Sequence, residues 1–255
     1  MNLRCAVGLM VVFYPAVANA GGLKPETLSA WNGYVQRVDS ESGPFLWLDK
    51  DPGRATQVRG GEILAEPAGG SNDPKVVPFG LIHDWVGAVF IPGVTLAQVF
   101  AVVDDYDQYS YYYGPTVTAS AWVCRKGDEE RFRVRYTRKV LFVTAVLDSE
   151  YEVRHVRLDE HRWYSVAQST RLGERQDEES GSRYLWRIYS VSKFEERDGG
   201  VYLEQRNIAL SRAIPSSLRW LVAPAIRQLS REFTVTSLRQ TRDAVNMTAR
   251  AICLR

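Results

Sequence analysis

Residues 218–242 read LRWLVAPAIRQLSREFTVTSLRQTR, and this stretch decides the fold. Leu218, Leu221, Val222, Ala225, Ile226, Leu229 and Phe233 recur at intervals of three and four, the spacing of one helical face. A single long amphipathic segment is therefore expected from about Ser216 to Ala244, with Arg219, Arg227, Arg231 and Arg239 largely off its apolar stripe. The hundred or so residues before it read as consecutive strands with no other helix among them, so the apolar face must pack across the sheet they form. Pro224 interrupts the pattern. Proline removes a helical N–H and costs about 3 kcal/mol in a helix interior. Two arrangements fit: one kinked helix, or a short helix over 216–222 followed by a main helix that starts at Pro224.

Upstream, strands are expected at about Leu81–Ile91, Val117–Arg125, Arg131–Arg138, Phe142–Val153, Arg162–Leu172, Tyr184–Glu196 and Val201–Ser211. Turn sequences such as Lys126-Gly127-Asp128 and Asp198-Gly199 separate them, which predicts an antiparallel meander. After the first strand, Thr95 caps a helix with Leu96, Val99, Phe100 and Val103 on one face. That helix runs out into Asp104-Asp105-Tyr106-Asp107 and a cluster of tyrosines, Tyr106, Tyr109, Tyr111, Tyr112 and Tyr113. Ahead of this domain, residues 21–78 form an extension. A helix is expected over 23–42, two short strands over Phe45–Asp49 and Glu62–Ala65, and a boundary in the turn-rich stretch 67–74. The main domain takes residues 79–246 and a tail takes 247–255.

The first twenty residues have the form of a signal peptide: Arg4, an apolar run from Cys5 to Tyr14, and a small-residue site at Ala18-Asn19-Ala20. The apolar run is too short for a bilayer, which needs roughly 20 residues. Export to the periplasm or medium, with cleavage after Ala20, is expected. The 255-residue chain carries 32 Lys and Arg against 30 Asp and Glu, a balance that gives no electrostatic footprint for nucleic acid. Cys124 and Cys253 remain after cleavage. They either pair or leave Cys124 as a buried thiol on a strand.

The order strand–helix–six strands–long helix, with Val102-Val-Asp-Asp-Tyr-Asp-Gln-Tyr109 leading to Gly114-Pro115, resembles the START-like superfamily, which includes polyketide cyclases, coenzyme Q-binding proteins and Bet v 1-like proteins. The block Phe194-Glu-Glu-Arg-Asp-Gly-Gly-Val-Tyr-Leu-Glu204, then Leu210-Ser-Arg-Ala-Ile-Pro215, is similar to that family's last hairpin and its entry to the final helix. The resemblance covers about residues 79–245 and is nearest to exported bacterial members. It implies an α+β helix-grip fold, in which a curved antiparallel sheet of about seven strands wraps around the C-terminal helix.

Strand alternation shows which face lies under the helix. Arg131, Arg133 and Arg135 share one face of their strand, as do Asp148, Glu150 and Glu152 of the next, and both sets are expected in solvent. A two-residue turn at Asp198-Gly199 sets Lys193 opposite Glu204 and Phe194 opposite Leu203. Arg187, Lys193, Glu195, Glu204 and Arg206 then face outward, and Trp186, Ile188, Ser190, Ser192, Phe194, Leu203, Gln205, Asn207 and Ala209 face inward. Buried without partners, the polar members of the inner set cost roughly 1–3 kcal/mol each. A cavity holding water or ligand would satisfy them, and so would mutual hydrogen bonds or a bulge that shifts the register.

The three histidines, His83, His155 and His161, lack the spacing of a metal site, and no metal or other cofactor is expected. His155 and His161 flank a turn and read as solvated, while His83 and Asp84 could form a bonded pair. No Gly-x-Ser-x-Gly elbow or phosphate-binding glycine loop is present, so no catalytic residue is assigned. The tyrosine run suits either a cavity mouth that makes transient contact with a membrane surface or packing at the sheet edge. The reading is a carrier or binder of a small hydrophobic ligand, lipid or isoprenoid-like, with Phe132, Tyr136, Tyr151, Trp186, Ser190, Gln205 and Asn207 lining its site. The alternatives are a cyclase-type enzyme using the same cavity and a protein-interaction module with a solid core.

Overall fold

A computed structural model describes residues 23–71, 74–140, 143–175, 184–213 and 216–253. The expected signal peptide and the acidic loop near residues 177–182 lie outside these residues. The extension contributes α1 (Pro25–Asp39), a 3-10 turn (Trp47–Lys50), α2 (Pro52–Arg59), β1 (Leu64–Pro67) and β2 (Lys75–Val77). The main domain follows with β3 (Gly80–Pro92), α3 (Leu96–Val103), a 3-10 turn (Tyr106–Gln108), α4 (Tyr109–Tyr112), β4 (Val117–Lys126), β5 (Glu129–Val140), β6 (Val143–Arg157), β7 (Arg162–Arg175), β8 (Leu185–Arg197), β9 (Gly200–Arg212) and α5 (Ser216–Cys253). The result is the α+β helix-grip arrangement: a curved, unclosed antiparallel sheet with a long terminal helix across it.

Strands β4 to β9 form the expected meander, and β3 closes back on β9 along its whole length, Gly80 opposite Arg212 through Pro92 opposite Gly200. The β8–β9 turn is fixed by positive φ at Asp198 (57°) and Gly199 (75°), the backbone of a two-residue hairpin turn. It places Lys193 opposite Glu204 and Phe194 opposite Leu203. On the outer face of β5 and β6, the arginines meet carboxylates directly across the ladder: Arg131 with Glu152, Arg133 with Glu150 at 2.9 Å, and Arg135 with Asp148 at 2.6 Å. Such surface pairs contribute little individually, and they fix the register of two strands.

Three layers result. On one face, Val89 and Ile91 of β3 pack with Leu96, Val99 and Val102 of α3 and with Leu238 and Val245 of α5. On the other, Ala88 and Phe90 pack with Leu46, Leu48 and Val58 of the extension, and Ile82, Ile208 and Leu210 pack with Trp31 of α1. Strand β3 is consequently buried on both faces. Gly87 lets α5 come close: a Cβ there would lie 2.6 Å from the Leu64 carbonyl oxygen and 2.8 Å from Thr234 Cγ2.

Several expectations need correction. Phe45–Asp49 is not a strand. Leu46 and Leu48 alternate as a strand would, but they are buried in the 3-10 turn and the residue before it, beneath Phe90 and Tyr202. Helix α2 was missed because only Val58 of its side chains is buried and no apolar stripe exists; its start is signalled by Asp51, whose carboxylate accepts from the Gly53 N–H at 2.8 Å. Strand β2 was too short to see. The terminal helix is continuous through position 224, so no new helix starts at Pro224, and it continues to Cys253 because no glycine or proline stops it after Ala244. Glu204 and Arg206 are not on an open outer face, since the extension covers them: Glu204 is 4% exposed. His83 and Asp84 do not pair. Successive strand residues face opposite sides, so His83 meets Ser211 (2.9 Å) while Asp84 binds Arg206 and Tyr34. Cys124 is a free thiol, and the side chain of Cys253 lies outside the described residues.

Candidate functional site

The inner faces of β4 to β9, the tyrosine segment and the helix α5 enclose a cavity of about 330 Å³. Its walls are mostly apolar, and no Lys, Arg, Asp or Glu is among the described residues that line it. Alternation on β8 and β9 delivers Ile188, Ser190, Ser192 and Phe194 from one strand and Leu203, Gln205 and Asn207 from the other. Helix α5 adds Phe233 and then a polar run, Thr236, Ser237, Gln240 and Thr241. Gln240 donates to the carbonyls of Tyr113 (3.2 Å) and Gly114 (3.0 Å), which ties the helix to the tyrosine segment.

Six of the seven lining candidates, Phe132, Tyr136, Tyr151, Ser190, Gln205 and Asn207, lie on the cavity wall. Trp186 does not. A register shift between Leu185 and Arg187 makes it the extra residue of a bulge, and it packs with the Trp31 cluster on the opposite side of the sheet. The polar groups are partly self-satisfied: Ser190 donates to Asn207 Oδ1 at 2.9 Å, and Asn207 donates to Thr234 Oγ1 at 3.3 Å. Gln205 Oε1 is buried and has no hydrogen-bond partner among the described residues.

The tyrosine run divides by helical spacing. Tyr106, Tyr109 and Tyr113 turn inward and line the cavity, while Tyr111 is 66% exposed. Tyr106 stacks on Phe132 with ring centroids 4.5 Å apart, and Phe132 stacks on Tyr151 at 5.3 Å, so three rings from three segments form one wall. The intervals of three and four between 106, 109 and 113 were the signal that could have found them. Burial raises the phenols of Tyr113 and Tyr151 to about 12, so these hydroxyls stay protonated.

His155 is the other residue the sequence misplaced. It was read as a turn residue, but β6 runs on to Arg157, and that carries His155 onto the cavity wall. Its Nδ1 is 2.5 Å from Ser165 Oγ, and its Nε2 is 3.1 Å from the Tyr106 hydroxyl and 3.3 Å from Asp104 Oδ1. Burial lowers the His155 pKa, Glu130 opposing and Arg125 assisting, so the ring is neutral at neutral pH. Asp104, at the C-terminus of α3, is pushed up to about 7 by burial and by the charge of Glu130, against the pull of Arg125. Its side chain remains 44% exposed, and solvent tempers that rise. Serine, imidazole and phenol thus form one hydrogen-bonded chain at an end of the cavity, with the Asp104 carboxyl beside it, an arrangement able to hold or pass a proton. Among the described residues, no group of three His, Cys, Asp or Glu is placed to hold a metal ion.

No protein-family model matches the chain, and no curated protein is similar to it in sequence. Solved structures are similar in fold. A STAR-related lipid transfer protein from Xanthomonas axonopodis is 14% identical, with 68% of this chain and 96% of that one covered and a TM-score of 0.49. The Zhui aromatase/cyclase from Streptomyces sp. R1128 is 12% identical, covering 67% and 98% with a TM-score of 0.49. Human STARD10 is 9% identical, covering 80% of each chain with a TM-score of 0.44.

Proposed function

We propose that this chain is an exported binder or carrier of one small, largely apolar molecule, lipid or isoprenoid-like in character, held between the sheet and α5. The observation that carries the reading is the cavity itself: about 330 Å³, walled by stacked rings, with an unpartnered buried amide oxygen on Gln205. That volume is at the lower end of small-molecule pockets, about 300–1,000 Å³, and fits a single compact ligand. Burying its apolar surface supplies affinity at about 25 cal/mol per Å², and the hydroxyl and amide groups orient it. A module with a solid core does not fit a hollow interior. No helix among the described residues is long and apolar enough to cross a membrane.

Native mass spectrometry of the purified chain, with organic extraction of bound material, tests the reading. A bound species of low mass is expected, together with a rise in melting temperature when the extracted molecule is returned. A chain that emerges empty and whose melting temperature no lipid or isoprenoid shifts would overturn it. Export is tested separately by the N-terminal sequence of the protein from the periplasmic or secreted fraction, which should begin at Gly21.

The hydrogen-bonded chain through His155 favours a second reading, acid–base chemistry on a bound ligand. Under that reading His155→Ala abolishes turnover of the extracted molecule while its binding persists. A ligand recovered unchanged after incubation with the native protein would eliminate it.

A further inference from the structure

The register of the sheet says more about the ligand, given the cavity reading above. On the cavity face, Gln205 of β9 stands opposite Ser192 of β8, Ser192 opposite Ser165 of β7, and Ser165 opposite His155 of β6. All four line the cavity. Neighbouring strands are about 4.8 Å apart, so this polar row crosses the sheet for about 14 Å, perpendicular to the strands. The adjacent cavity-facing rows differ. On one side are Leu203, Phe194 and Trp163. On the other, Asn207 and Ser190 bond to each other, and Ala167 and Val153 are apolar.

Two further facts constrain what can lie on the row. No Lys, Arg, Asp or Glu is among the described residues lining the cavity, so an anionic or cationic head would be buried there without a counter-charge. Gln205 Oε1 has no donor among the described residues, so a hydroxyl or N–H of the ligand is matched to it. An acyl chain laid across the row would leave that oxygen unsatisfied, and a two-chain lipid exceeds the volume.

We propose that the cavity takes a flat, uncharged ring compound that lies across the strands and presents hydroxyl or carbonyl groups along one long edge to Gln205, Ser192 and Ser165, the last held in place by its bond to His155 Nδ1. The stacked wall of Tyr106, Phe132 and Tyr151 gives its rings an apolar surface of matching shape. The residues that set specificity are therefore Gln205, Ser192 and Ser165, and Gln205 selects for a donor.

The test uses two isomeric probes, 2,7-dihydroxynaphthalene with both hydroxyls on one long edge and 2,6-dihydroxynaphthalene with hydroxyls on opposite edges, with hexadecanoate as the acyl control. Dissociation constants are measured by calorimetry on the full-length mature chain after organic extraction. The one-edge isomer is expected to bind about fivefold or more tightly than its isomer, the gain of about one additional hydrogen bond. Gln205→Leu and Ser192→Ala should each reduce that ratio toward unity, and the circular dichroism spectrum and melting transition of each variant report separately that it is folded. Equal affinity for the two isomers, or a ratio that both substitutions leave unchanged, overturns the row as the specificity element but leaves the cavity reading intact. Binding of hexadecanoate alone overturns the row and supports an acyl carrier. Binding of none of the three overturns the row as stated, and the cavity reading is then decided by the extraction experiment.

Discussion

Replacing Glu204 by Gln should remove a large part of the pH dependence of stability, and the size of the effect follows from where the extension places that residue. Glu204 sits on the face of β9 opposite the cavity, 4% exposed, under the 3-10 turn Trp47–Lys50. Burial raises its carboxyl from the ordinary 4.5 to about 7, against the attraction of Lys193 and hydrogen bonds from the Trp47 and Leu48 N–H groups. Between those two values the folded chain holds a proton that the unfolded chain has released. The contribution is thus fully present below about pH 4.5 and is lost as pH rises through about 7. At 1.36 kcal/mol per unit the difference amounts to about 3 kcal/mol. Glutamine keeps the oxygen that accepts from Trp47 and cannot ionise. Urea unfolding of both chains at a series of pH values isolates the term, because His83, Asp104 and His155 are common to both. The stability of the wild type relative to Glu204→Gln should fall by about 3 kcal/mol between about pH 4 and pH 8. Two parallel stability curves would show that the extension does not desolvate Glu204 and that the outer face is open.

Asp84 accepts from Arg206 Nε (3.0 Å) and Nη2 (2.7 Å) and from the Tyr34 hydroxyl (2.7 Å), with its side chain 6% exposed. Asp84→Ala leaves a half-buried guanidinium short of its main partner and should cost about 3–5 kcal/mol by denaturant titration; a loss below about 1 kcal/mol would refute the buried pair. Gly87→Ala pushes a methyl group into the Leu64 carbonyl and Thr234, so it should lower stability by about 1–3 kcal/mol, where a neutral result would mean that α5 crosses β3 at a greater distance. His83 is held neutral by burial, its pKa lowered from 6.5 to about 4, so its contribution is complete above about 6.5 and is lost as pH falls toward 4. Its ring should therefore show no protonation shift by NMR at pH 6, and a midpoint near 6.5 would place it in solvent.

Much of the meander was legible because its strands alternate and its turns carry their own signals. Asp198-Gly199 alone fixed the Lys193–Glu204 register, and Ser190, Gln205 and Asn207 reached the cavity wall through it. What stayed hidden depended on long-range packing. Glu204 has the alternation of a solvent-facing residue, and nothing in its neighbourhood reveals that residues 46–58 fold over it. Trp186 has the right parity for the inner face, but the bulge after Leu185 breaks that parity locally. His155 looked like a turn residue because the separator Leu158-Asp159-Glu160 was taken to shorten the strand, and only its pairing with Ser165 places it beside Tyr106. The tail expected after residue 246 is helical instead: no glycine or proline stops it, and Ala249 packs on the α3 side of the core beside Val245.

The pairings of the outermost strands bear on how the molecule behaves among its own copies. A bare strand at the flank of a sheet is a template for another chain's backbone. Here the flank of β3 is taken by β1 over Trp85–Ala88 and by β2 over Gly80–Ile82. At the opposite flank β4 is bent by two register shifts, and the Trp122 N–H is claimed by the Asp107 carboxylate at 2.8 Å. The outermost strands are therefore short at one flank, four and three residues, and bent at the other, which leaves a neighbouring copy little straight ladder to add to.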